Sequence, residues 1–203
     1  MLNRYFKTDG NIDFMYANMV LQNIYFAQIS LNYILYYNDF EIGIYHSEHT
    51  FYFYYIQNLL TACGNISNIF YNYGGFAGKE ATERSRRLRI IFNVTRKDFP
   101  LLFQKEVRNT NMHFDERYEE FNGNLGDYNL LDENTDPFMR DTILNSPHLR
   151  TYDKKSGVYY TFGRNQNKIQ YNFHELNQEL SELLSRIIKH PLLNSAWTDW
   201  FLI

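Results

Sequence analysis

A chain of 203 residues with 44% hydrophobic content has room for one domain with a sizeable core and little room for two. Its net charge of −3 excludes a protein that coats nucleic acid by bulk electrostatics, although a short basic site that grips one phosphate remains compatible. The single cysteine, Cys63, excludes an internal disulfide framework and a thiolate metal cluster within one chain, and with no basic-then-apolar leader the expected compartment is the reducing cytoplasm.

In chain order, apolar residues at Ala17, Leu21, Ile24, Ala27, Leu31, Ile34 and Leu35 predict a helix from Asp13, its N-cap, to about Tyr37. A second helix is expected from about Ser47, with Tyr55, Leu59, Ala62, Cys63, Ile66, Ile69, Phe70 and Tyr73 on one stripe and a left-handed exit at Gly74-Gly75. Residues 82–94 form a shorter arginine-rich segment, and Asp98 with Pro100 signals a fresh start. The helix expected there carries Phe99, Phe103, Val107, Thr110, Phe114, Tyr118 and Phe121 on its stripe. From 122 to about 151, Asn, Gly, Asp and Pro dominate without a period, which predicts a long loop. Gly157–Phe162 and Lys168–Phe173, joined by Gly163–Asn167, predict a β-hairpin. The last helix is capped by Asn172 and Glu175, carries Phe173, Leu176, Leu180, Leu183, Leu184, Ile187 and Ile188, and stops at Pro191. Polar residues interrupt every aromatic-rich run, so no membrane partner is expected. The expected fold is all-α: one domain over 1–203, an antiparallel bundle of about four to five helices, with a loop and hairpin insertion at about 122–171.

The helix expected after Asp98 carries the residues with chemical potential. With Val107 at the centre of its buried face, a step of about 100° turns Arg108 to one side and sends Asn109, His113, Glu116 and Glu120 roughly 120–180° away from the core. None of these polar groups is needed for packing, and such a face is most often plain solvated surface. Arg108-Asn109, followed after Met112 by His113, resembles the motif of HEPN-domain proteins. These helical bundles are marked by an arginine, commonly followed by Asn, Asp or His, and then a histidine after about four to six positions. Phe114-Asp115-Glu116-Arg117 is similar to the continuation in bacterial members, and the resemblance covers about residues 98–121. Some members carry a tyrosine two residues after the histidine as a target of nucleotide transfer; Asp115 stands there, so that regulation is not expected.

The resemblance implies RNA cleavage without a metal or other cofactor, in a homodimer, often as a toxin or defence effector held by an antitoxin or regulatory protein. The residue types suit that chemistry. A 2′-hydroxyl attacks the adjacent phosphate, His113 moves protons near neutrality, and Arg108 holds the developing charge with a planar fork. Asn109 orients the histidine or a phosphate oxygen. Arg108 and His113 diverge by about 140° on a straight helix, so pairing two copies is the expected way to gather them over one phosphate. Glu116, Arg84 and Arg87 are candidate substrate contacts, and Arg86, Arg89, Arg96 and Lys97 either track an RNA backbone or form the wet side of a short helix. The other reading is a bundle of the same shape that binds a nucleotide or protein without cutting.

Three further features are weighed and set aside. Gly74–Glu80 departs from a phosphate loop in glycine spacing and lacks the magnesium-binding hydroxyl. His46 and His49 have no third metal ligand nearby in sequence, and Asp127, Asp132, Asn134 and Asp136 lack the spacing of a calcium loop.

Overall fold

The computed structural model describes residues 10–36, 48–72, 78–112, 119, 126–131, 135–146, 148–163 and 167–191. Among them, six helices and four strands follow in the order α1 (Gly10–Tyr36), α2 (Glu48–Tyr71), α3 (Lys79–Ile91), α4 (Lys105–Met112), β1 (Gly126–Leu131), α5 (Pro137–Asn145), β2 (His148–Asp153), β3 (Val158–Phe162), β4 (Lys168–Asn172) and α6 (Phe173–Ile188).

α1 packs chiefly on α2 and also on α6, and α2 carries α3 and α4 on its other sides. Ala17, Val20, Leu21, Ile24, Ala27, Leu31 and Ile34 bury the predicted stripe of α1. Asp13 is not the N-cap, because α1 starts at Gly10; it lies in the first turn, fully buried, where Arg87 of α3 binds its carboxylate. α2 ends in a left-handed residue, but that residue is Asn72 (φ 44°), whose N–H donates to the Asn68 carbonyl at 2.9 Å. Gly74-Gly75 lie outside the described residues. α3 closes the same way on Asn93 (φ 50°), with Val94 donating to the Arg89 carbonyl at 2.8 Å and Asn93 to that of Ile90 at 3.3 Å.

The helix expected from Asp98 begins only at Lys105. Pro100 has no N–H to give, and the next two amides donate outside the helix, Leu101 to Glu179 Oε1 at 3.0 Å and Leu102 to Oε2 at 2.8 Å. Three consecutive rungs of the ladder are thereby lost. Phe99 and Phe103 are still buried with Val107, because isolated turns from Phe99 to the Thr95 carbonyl and from Phe103 to that of Phe99 keep the helical spacing.

An all-α bundle is overturned by the four-stranded mixed sheet, ordered β1-β2-β3-β4. β1 runs parallel to β2 with α5 as the crossover, and β2-β3 and β3-β4 are antiparallel, the latter being the predicted hairpin. Register aligns Leu130, Tyr152, Tyr159 and Tyr171 in one row across the sheet. The three tyrosine rings gather round Phe173, at centroid distances of 5.5, 6.0 and 6.0 Å, and Phe173 is the first residue of α6. The stretch read as an insertion therefore shares its core with the bundle: buried residues of α1, α2, α3, α6 and the sheet form a single cluster. It escaped detection because β1 contains Gly126, Asp127 and Asn129, residues that strands disfavour, and α5 buries no residue and so has no apolar stripe. α5 is fastened by its polar groups instead, through the Arg140–Asp153 ion pair and a hydrogen bond from Lys168 to the Leu144 carbonyl.

α6 follows its prediction closely. The Asn172 side chain accepts from His174 N at 2.9 Å and Glu175 N at 3.3 Å and donates to Glu175 Oε1 at 3.2 Å. Of the expected stripe, Ile188 alone is exposed, at the end of the helix.

Candidate active site

Two side chains of α6 and one of β4 fix the connector that leads into α4. Glu179 takes the Leu101 and Leu102 amides, and the Tyr171 hydroxyl donates to the Leu101 carbonyl at 2.9 Å. At the far end Arg186 donates to the Asn93 carbonyl and to Asp98 Oδ2 at 3.3 Å, with its guanidinium carbon 4.8 Å above the Phe99 ring. Removal from water raises the Glu179 carboxyl, and the two amide hydrogen bonds oppose that rise without cancelling it.

From this fixed entry α4 runs with Val107 only 1% exposed, facing Leu60, Cys63 and Tyr171. The space between them is about 10 Å³, a packing void rather than a binding site. Burial pushes the Cys63 thiol far up, so it has none of the thiolate character a nucleophile needs. Arg108 follows Val107 within α4, and Asn109 is half-buried. The Arg108 side chain, His113 and Glu116 lie outside what the structure describes.

The basic stretch divides by what each side chain touches. Arg87 makes three hydrogen bonds to Asp13, at 2.9, 2.8 and 2.6 Å. Arg84 lies 4.2 Å over the Tyr16 ring and donates to its hydroxyl at 2.7 Å. Both candidate contacts thus engage α1. Arg89 donates to the Phe70 carbonyl, and the guanidinium carbons of Arg89 and Arg96 each lie 4.6 Å from the Tyr71 ring centroid. The Tyr71 ring meets Phe103 edge-on at 4.7 Å, so this pair of arginines borders the connector to α4. Sequence reading did not separate the two groups, because only the fold brings them to the groups they engage, Asp13 and Tyr16 for one and Phe70 and Tyr71 for the other.

Asp136, considered above as an oxygen ligand, caps α5 by accepting from Phe138 N at 2.9 Å and Met139 N at 3.3 Å. His46, Asp132 and Asn134 lie outside the described residues. Among the described residues no helix is long and apolar enough to cross a membrane. Comparison with known families, with curated proteins and with solved structures finds no match to this chain.

Proposed function

We propose that the protein is an endoribonuclease that cuts RNA by 2′-hydroxyl attack, leaving a 2′,3′-cyclic phosphate and a 5′-hydroxyl. The observation that carries this reading is the setting of α4: Val107 is locked inward, and Arg108-Asn109 follow it on a helix whose entry is clamped from α6. Arg108 binds the phosphate and its developing charge, His113 transfers the protons, and Asn109 orients the histidine or a phosphate oxygen. A second copy, paired through α4, supplies the second Arg108 and His113. Arg96, exposed and bordering the connector, suits the RNA backbone better than Arg84, Arg87 and Arg89, which already bind groups of α1 or α2. Such an enzyme needs restraint in its own cell, which fits a toxin or defence effector with an antitoxin or regulatory partner. DNA is spared because it lacks the attacking hydroxyl.

The test is to incubate purified protein with mixed RNA and EDTA and to analyse the cut ends. The wild-type chain is expected to cleave and leave cyclic phosphates, while Arg108→Ala and His113→Ala fold normally and lose about a hundredfold or more in rate. Cleavage by both variants at the wild-type rate would refute the assignment, as would dependence on a divalent ion.

A further inference from the structure

α1 has a second apolar stripe, opposite the one in the core. Ile12, Met15, Met19, Gln22, Phe26, Ile29, Tyr33 and Tyr36 recur at alternating intervals of three and four, the heptad spacing of a helix–helix seam. Six of them, Ile12, Met15, Met19, Phe26, Ile29 and Tyr36, are 36–62% exposed. The helix carries no charge on its surface, because Asp13, its one ionisable residue apart from tyrosines, is buried against Arg87. A surface helix of a free-standing domain ordinarily has a polar outer face, and among the described residues nothing covers the second apolar face of this uncharged helix of 27 residues.

We infer that this face of α1 is where two copies of the chain associate, through a seam of α1 helices related by a two-fold axis. A self-pairing surface must tolerate meeting itself, and one without charge has nothing to repel its own image. Size agrees. The six exposed side chains, with Tyr25 and Tyr54 beside them, leave on the order of 800 Å² open at about 100 Å² each, close to the share of one partner in a standard interface. Alongside runs a groove of about 340 Å³ between α1 and α2, walled by Phe26, Ile29 and Tyr54 and rimmed by the amides of Asn23, Asn58 and Asn65. Its lining is likewise uncharged, and the bond from Asn65 Nδ2 to Asn23 Oδ1 at 2.9 Å shows amides already pairing across it. A lipid surface is a poorer occupant, because interfacial helices flank their apolar face with lysine and arginine, and α1 has neither. Gln22, midway along the stripe, is the polar position that fixes register in such seams.

The inference does not rest on the ribonuclease reading. α4 contributes nothing to this stripe, and pairing of α4 helices would be a separate contact. The test is sedimentation equilibrium of the full chain at tens of micromolar, with circular dichroism as a check on folding. The wild type is expected to be at least dimeric, Met19→Glu and Phe26→Glu to weaken that association by about a hundredfold or more and so lower the mass, leaving no more than a dimer made through α4, and Phe138→Glu, an equivalent change at an exposed site on α5, to leave the mass unchanged. A monomeric wild type, or folded Met19→Glu and Phe26→Glu variants that keep the wild-type mass, overturns the inference. So does dissociation by Phe138→Glu.

Discussion

The buried pair of Asp13 and Arg87 shows how far a residue's role can depart from its class. A charged arginine run suggests solvent or a phosphate, yet within it Arg87 closes on a carboxylate that has no exposure at all. Such a pair gains little over apolar residues of similar volume, because both partners had to leave water, but removing one partner strands the other. Arg87→Met is therefore expected to cost about 3–5 kcal/mol of unfolding free energy, measured by urea denaturation. The double variant Asp13→Leu, Arg87→Met is expected to recover most of that loss. Equal losses in the single and double variants would mean that packing, not the stranded charge, sets the cost. Nothing in sequence reveals the partnership, since the two residues stand 74 positions apart.

At the scale of elements, the connector before α4 depends on Glu179. Burial raises its carboxyl above the ordinary glutamate value of 4.5, so the folded chain holds this proton more tightly than the unfolded chain does. The sign follows: as pH rises from the ordinary value through the raised one, the folded state sheds that proton at a disadvantage, and Glu179 lowers stability across this window. Glu179→Gln removes the titration. Unfolding free energies measured from acidic to neutral pH should show wild type losing stability relative to Glu179→Gln as pH rises; parallel curves would contradict the assignment. This connector also marks a limit of sequence reading. Periodicity located Phe99, Phe103 and Val107 in the core correctly, but a helix and a chain of separate turns give the same spacing. What decides between them is a carboxylate in another helix. α6 was legible down to its cap because its signals are local, whereas β1 and α5 were hidden because parallel pairing and a polar attachment leave no period to read. For the candidate site, sequence gave Arg108, Asn109 and His113 as a motif, and the fold adds the inward anchor at Val107 and the clamp behind it.

Across the whole molecule, the row of Tyr152, Tyr159 and Tyr171 around Phe173 joins sheet to bundle. The Tyr152 hydroxyl donates to the Ile34 carbonyl at 3.3 Å, and its ring lies 5.7 Å from that of Tyr52, so β2 touches both long helices. An appended hairpin would melt apart from the bundle; a sheet that supplies part of the same core should not. Phe173→Ala opens a cavity where four aromatic rings from four elements meet, and its expected cost is about 3–5 kcal/mol. The informative reading is which signals move. Helical circular dichroism, dominated by α1 and α2, and near-ultraviolet tyrosine signals from the sheet should shift to lower denaturant together, with one midpoint. If the tyrosine signals shifted while the helical midpoint stayed at its wild-type value, the sheet would be a separate cooperative unit. The coupling has a consequence for the site, because Glu179 and Tyr171, which hold the entry of α4, stand on the two elements that Phe173 joins. Loosening that junction should therefore loosen the α4 connector as well.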